Sequence, residues 1–291
     1  MAGYSVDSEY KPLQAVVLCK PPVFIQRICD PRSVLHSRAI NYTTAVAEYT
    51  KMVEMYHAQK IKTFYLRVRA GKNGYRYPVF NLMFTRDLFF MTPRGAVVCR
   101  MRCDVRRHEP AYAERFLRKS GIRVRGVISA PGTFEGADAV WITKTLVAVG
   151  VGNRTNEEGF KQLKEELARD AITCCAVPAP RGSIHLLGSV QLVDSSMALV
   201  RSGSTGPEIK SLLKHNRFRI VTIPENTEVK KNHAMNFVVL GPGRIVMPDN
   251  CPKTRKIYER AGITVAGEIS VTQLINGGGG LACASGILSR G

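Results

Sequence analysis

The chain lacks most of the features that would declare its class at sight. No apolar run reaches the roughly 18 residues that cross a bilayer. The opening Met1-Ala2-Gly3-Tyr4-Ser5-Val6-Asp7-Ser8-Glu9 has neither a basic lead nor an apolar core. A membrane or exported protein is therefore not expected, and the reading is of a cytoplasmic one. Zinc-like cysteine pairing is missing too. The eight cysteines are scattered, and the adjacent Cys174-Cys175 suits neither a metal nor an ordinary disulfide. We expect reduced thiols and no metal. Acidic residues are scarce, 23 against 42 lysines and arginines, leaving a formal charge of +19. That excess suits anionic ligands or a polyanion, with basic clusters at Arg100–His108 and from Lys210 to Arg219. Yet no helix-turn-helix, finger or RNA-binding aromatic signature accompanies it, so nucleic acid is not the expected partner.

What is present is a globular composition, 45% hydrophobic over 291 residues, enough for a sizeable core. The most unusual stretch is Asn276-Gly277-Gly278-Gly279-Gly280-Leu281-Ala282-Cys283-Ala284-Ser285-Gly286. Four consecutive glycines cannot be the interior of a helix or strand, and they make sense where a backbone bends sharply or another group approaches closely. A cysteine in small surroundings follows.

Upstream, one order of elements recurs. Phe84-Thr85-Arg86-Asp87 leads into strands 88–91 and 96–99 joined by a Pro/Gly turn, then helix 111–119 and strand 123–128. Phe134-Glu135-Gly136-Ala137-Asp138 leads into strands 139–142 and 146–149, helix 156–169 and strand 171–177. His185-Leu186-Leu187-Gly188 opens strands 190–193 and 197–200. Ala234-Met235-Asn236 opens strands 237–240 and 245–247, helix 254–261 and strand 263–265. Asp87, Asp138, Gly188, Asn236 and Cys283 thus stand about fifty residues apart, the mark of a repeat architecture. The first strand, 13–19, lacks a hairpin partner, and the last unit stops just after Cys283. Helix 43–59 and strand 61–68 follow that first strand, after a proline-bearing excursion, Pro21–Tyr42, read as a lid. Pairing the two termini would close a ring and hide a sheet edge. The expectation is one domain over residues 1–291, a five-bladed, pseudo-five-fold α/β propeller. The hairpin openings would converge on its axis.

There they would gather Asp87, Glu135, Asp138, His185 and Cys283. Singly, each has a plain structural use: an aspartate before a strand is usually a turn or cap residue, and a cysteine is usually an inert buried thiol. Together, at one phase of a repeat, they suit a planar cation. Carboxylates grip a guanidinium, a thiolate attacks its central carbon, and histidine protonates the leaving nitrogen and then deprotonates water.

Phe84-Thr85-Arg86-Asp87, Glu135-Gly136-Ala137-Asp138, Asn153-Arg154-Thr155-Asn156-Glu157-Glu158-Gly159, His185-Leu186 and Gly278-Gly279-Gly280-Leu281-Ala282-Cys283 resemble, in order, the motifs of the guanidino-group-modifying (pentein) superfamily. Its members include arginine deiminases, dimethylarginine dimethylaminohydrolases and amidinotransferases. The resemblance implies the same five-bladed fold and no cofactor. It implies Cys283 as nucleophile, His185 as general acid/base, Glu135 as the residue orienting that histidine, and Asp87 as the grip on the guanidinium. Asp138 joins the substrate-binding set. Arg154 and Arg106 would bind the substrate's α-carboxylate, with Arg107 able to take the place of Arg106 in register.

Departures from the pattern bear on the substrate. Arginine deiminases and amidinotransferases carry His-x-Asp, where this chain has Leu187; dimethylaminohydrolases also lack that aspartate. Phe-Thr-Arg-Asp is nearer the deiminase wording, and Ala137 replaces a usual glycine. The resemblance thus implies hydrolysis of an Nω-methylarginine or arginine to citrulline, acting on a small guanidine, with a homodimer as an admissible assembly. Amidino transfer is the alternative, and a ribosome- or RNA-binding propeller without catalysis a remote one.

Overall fold

The computed structural model describes residues 4–68 and 78–291. Among the described residues there are five three-stranded sheets, and β-strands from both ends of the chain build the first. Strand β1 (Leu13–Cys19) runs parallel to β2 (Lys62–Leu66), which it reaches through helix α1 (Tyr42–Ala58). The next sheet is the hairpin β3 (Phe89–Thr92) and β4 (Gly95–Val98), then α2 (Glu109–Lys119), then β5 (Val124–Val127) parallel to β4. The plan repeats with β6 (Ala139–Thr143), β7 (Leu146–Val151), α3 (Glu157–Ala168) and β8 (Thr173–Pro178). It repeats with β9 (Val190–Leu192), β10 (Met197–Arg201), α4 (Pro207–His215) and β11 (Arg219–Ile223). After the short α5 (Thr227–Lys231) it repeats with β12 (Val238–Gly241), β13 (Arg244–Pro248), α6 (Pro252–Arg260) and β14 (Thr264–Ile269). A last short helix, α7 (Thr272–Asn276), precedes the glycine run, and β15 (Gly286–Arg290) pairs antiparallel with β1. The expected five-fold α/β propeller is the observed fold.

Two elements of the unit that begins with β9 were not expected: α4 and β11 lie where the sequence reads as a basic cluster. Ile209 and Leu213 face the core while the lysines and His215 take the outside, so the charge is the solvated face of an ordinary amphipathic helix. The middle strands are apolar on both faces because each sheet has a neighbour or a helix on either side. Val16, Val17 and Leu18 are fully buried, and Trp141 of β6 stacks on Phe90 of β3 with centroids 5.5 Å apart.

The hairpin openings do converge. Before β3, β6 and β9 the chain makes a single 3-10 turn, at Thr85–Asp87, Gly136–Asp138 and Leu186–Gly188, and neighbouring turns pack on each other. Pro21–Tyr42 holds two 3-10 turns, Val23–Arg27 and Pro31–Val34, and Arg38 N–H bonds to the Asn276 carbonyl, beside the glycine run.

Candidate active site

The axis opens into a cavity of about 210 Å³ whose wall includes Asp87, Arg106, Arg154, His185, Asn236 and Cys283. The glycine run builds one side of it. A Cβ on Gly279 would lie 2.3 Å from the Phe84 ring, and one on Gly280 would lie 2.7 Å from Asn236 Oδ1. Gly278 adopts φ +87°, which glycine reaches without strain. Cys283 is thereby set against its neighbours by residues that cannot carry side chains. The Arg86 N–H holds its carbonyl at 3.0 Å.

His185 and Glu135 form a pair. Nε2 lies 2.7 Å from Glu135 Oε2, and Nδ1 faces Asp87 Oδ1 at 3.7 Å. Glu135 is fully buried, and its other oxygen accepts from the Arg102 N–H. Burial alone would lower the basicity of His185, but the carboxylates of Asp87, Asp138 and Glu135 outweigh it and raise its pKa to about 9. Burial would likewise raise the Glu135 carboxyl; the hydrogen bond and charge of His185, with Arg106 and Arg154 behind, take it well below the ordinary range instead. The resting pair is an imidazolium on a carboxylate, with Nδ1–H directed at the cavity. Burial and the Asp87 charge push the Cys283 thiol up to about 11, against the pull of Asn236, the Gly280 backbone and Arg106. At neutral pH the sulfur is therefore a thiol.

Asp87 is buried, and its two oxygens differ. Oδ2 accepts from Arg106 Nη1 at 2.7 Å, whereas no donor among the described residues reaches Oδ1. An orphaned carboxylate oxygen at 3% exposure is costly unless something donates to it. Asp87, Glu135 and His185 offer ligand atoms within 4.8 Å of one another, a spacing that would also suit a small metal ion. Arg106 already stands against both carboxylates, 2.7 Å from Asp87 and 3.9 Å from Glu135. The remaining demand at Asp87 Oδ1 is for one hydrogen-bond donor, and a guanidinium N–H is a group that supplies one.

Two of the residues expected to bind substrate are engaged within the protein. Asp138 accepts from the Thr155 hydroxyl at 2.8 Å and from the Leu186 N–H at 3.2 Å, so both its oxygens are engaged, one of them in fixing the residue after His185. Arg106 is buried; its Nε donates to Glu109 at 2.8 Å and its Nη1 to Asp87, which turns the guanidinium inward as a counter-charge. Arg154 is more open. It donates to Cys103 Sγ at 2.7 Å, sits 4.0 Å from Glu135, and leaves part of its fork to the cavity. The rest of its motif is structural. Thr155 holds Asp138, Asn156 caps α3 by accepting from the Gly159 N–H, and Gly159 lies where a Cβ would meet the Thr133 carbonyl at 2.0 Å.

Sequence reasoning placed Asn236 at the repeat phase without giving it a role, and missed Glu109 and Asn81. Glu109 pairs with Arg106 and accepts from the Asn81 N–H, so the inward turn of Arg106 depends on it. The Arg-Arg-His-Glu wording held the signal: a glutamate three residues after an arginine is within one helical turn of it.

Among the described residues no helix is long and apolar enough to cross a membrane. The uncharacterized protein YkgA of Bacillus subtilis is 25% identical over 287 residues, covering 98% of this chain and 94% of that protein. Arginine deiminase 1 of Staphylococcus epidermidis is 24% identical over 266 residues, covering 74% of this chain; the chain spans 64% of that protein's length. Among solved structures, DDAH from Pseudomonas aeruginosa, in complex with citrulline, superimposes with a TM-score of 0.76 at 21% identity, over 94% of this chain and 99% of that one. SxtG, an amidinotransferase from Microseira wollei, does so with a TM-score of 0.80 at 15% identity, over 99% and 97%. The arginine deiminase family model matches residues 34–208 and 201–290, so the chain belongs to the arginine deiminase family.

Proposed function

We propose that the protein hydrolyses a substituted guanidine, with an Nω-methylated arginine as the preferred substrate, giving citrulline and a methylamine. Asp87 Oδ1 carries this reading: a buried carboxylate oxygen with no hydrogen-bond donor among the described residues, 3.7 Å from His185 Nδ1, on a residue in the wall of the cavity that holds Cys283. Family membership supports guanidino-group chemistry.

The steps follow from the charges. A guanidinium N–H donates to Asp87 Oδ1, and the arriving cation offsets the carboxylate charge that holds the Cys283 thiol up, so the thiol releases its proton to solvent. The sulfur bonds to the central carbon. As the C–N bond breaks, His185 Nδ1 gives its proton to the departing amine, leaving a thiouronium on Cys283. Neutral His185 then takes a proton from water, whose oxygen attacks the same carbon. The C–S bond breaks, its electron pair leaving on sulfur; the hydroxyl proton passes to that thiolate, which restores the thiol, and the ureido product leaves. Glu135 keeps the ring oriented and its charge balanced throughout.

The apolar side chains of Leu187, Ile184 and Met235 in the cavity wall favour a methylated nitrogen. So does the engagement of Asp138, since one free carboxylate oxygen is enough for a nitrogen that has lost hydrogens to methyl groups. Arg154 is the group we assign to the substrate's α-carboxylate. Free arginine is the next candidate. Amidino transfer to an amine shares the first half of the reaction. The test is mass spectrometry of the intact protein, quenched in acid during turnover of arginine, monomethylarginine or dimethylarginine, with citrulline scored alongside. An adduct on Cys283 that clears in water with release of citrulline is expected, largest with a methylated arginine. An adduct that clears only when an amine is added would replace hydrolysis by transfer. No adduct and no product with any of the three would overturn the substrate class.

A further inference from the structure

Asn236 occupies the same phase of the fourth repeat that Cys283 occupies in the last, and its whole side chain is directed at the cysteine. Its Oδ1 accepts from the Ala282 N–H at 2.8 Å and from the Cys283 N–H at 3.2 Å. Its Nδ2 lies 3.0 Å from Cys283 Sγ. Backbone N–H groups only donate, so the end of the amide that meets them must be the oxygen, and the nitrogen must be the end that meets the sulfur. The orientation is therefore fixed by chemistry. The side chain is 8% exposed, and its own N–H bonds to the His233 carbonyl at 2.7 Å, which keeps it from swinging away. Gly280 completes the arrangement: any Cβ there would collide with Asn236 Oδ1, Cγ and Cβ at 2.7–3.0 Å.

We propose that Asn236 is a catalytic residue of this site, donating a hydrogen bond to the Cys283 sulfur whenever that sulfur carries negative charge. Such charge exists twice in a turnover, when the thiolate attacks and when it is expelled by water. The donor is fixed in place before either event, so it needs no reorganisation when charge appears. Asp87 opposes the thiolate before the substrate binds, and Asn236, with its Nδ2 3.0 Å from the sulfur, favours it alongside the Gly280 backbone and Arg106. The two together make the nucleophile depend on a bound cation without letting it become unreachable.

This assignment rests on Cys283 being the nucleophile of the proposed reaction, and its test does not need that reaction. Alkylation of Cys283 by iodoacetamide, followed on its own peptide across pH, reads the ionisation of the thiol in the free protein. Asn236→Asp keeps both acceptor contacts to the loop and removes the donor. Asn236→Ala removes the donor without adding charge. In both, the alkylation midpoint is expected to move up by about one pH unit, and kcat to fall about 10²-fold, the scale for a single preorganised donor, with KM changing less. A midpoint that stays at the wild-type pH in the folded variants overturns the proposal, even if turnover falls, because the side chain would then only be holding the loop. A shifted midpoint in a protein that turns over no guanidine would keep the donor assignment and sink the proposed reaction.

Discussion

Asp87 and Asp138 end the same kind of 3-10 turn in consecutive repeats, and both are buried, at 3% and 1% exposure. They nevertheless do opposite things. Asp138 has a donor on each oxygen and faces the scaffold, holding the backbone next to His185. Asp87 has Arg106 on one oxygen, whereas the other has no hydrogen-bond donor among the described residues and only His185 Nδ1 at 3.7 Å, and the residue lines the cavity. The repeat supplies the position and the neighbouring repeat decides the use: Thr155 and Leu186 close over Asp138, while the groups beyond Asp87 are the imidazolium and the thiol. In the proposed reaction a carboxylate serves as a binding group because its environment leaves it unsatisfied. One that the fold satisfies becomes a strut.

Substitutions that equalise the two aspartates break this contrast most sharply. Asp87→Asn removes the charge that a guanidinium needs and is expected to lower kcat/KM by at least about 10³-fold, roughly 4 kcal/mol of transition-state stabilisation. The same change removes the carboxylate that holds the thiol up, so Cys283 should alkylate at lower pH than in the wild type. Lost turnover with an easier thiol separates a substrate grip from a structural role. An unchanged kcat/KM with the best guanidine would end the claim that Asp87 binds it.

Next in size is the histidine pair. With the His185 pKa raised to about 9, the acid needed for the leaving amine is lost as pH climbs through that value, so kcat/KM should decline on the alkaline side near pH 9. Glu135→Gln removes one of the carboxylates that sustain the imidazolium. Its alkaline limb should move toward neutral pH, and turnover at pH 7 should drop by about 10²-fold. A limb that stays in place would mean that another group titrates there.

The repeat itself was legible in the sequence because hairpins with Pro/Gly turns alternate visibly with helices. Cys283, His185, Glu135 and Asp87 were legible because chemistry at a fixed phase is hard to reach by accident. What the sequence hid were partners. Arg106 reads as a free cation until Glu109 and Asp87, from a helix start and a neighbouring turn, are seen on either side of it. Asp138 reads as a second grip until Thr155 is seen beneath it. Asn236 stood at the right phase, but nothing in one dimension tells which way an amide points. In the same way α4 was masked by its lysines, whose charge drew attention from Ile209 and Leu213.

The smallest expected effect sharpens the contrast from the other side. Burial pushes the Asp138 carboxyl up to about 6, against the pull of His185 and of the Thr155 and Leu186 hydrogen bonds. A folded-state value above the unfolded one means the folded protein holds that proton more tightly. Its contribution to stability is therefore complete below about pH 4 and is lost as pH rises through about 6. Asp138→Asn keeps an oxygen for the Leu186 N–H and lets the Thr155 hydroxyl turn to accept from the new amide, so the strut survives without a charge. The variant should gain on the wild type by about 1 kcal/mol or more as the buffer is taken from pH 4.5 to pH 8, read as the difference in thermal midpoint at each pH. Turnover should change only a few-fold, through the placement of His185. If instead Asp138→Asn matched Asp87→Asn in lost turnover, the two aspartates would share the substrate and the contrast between grip and strut would fail.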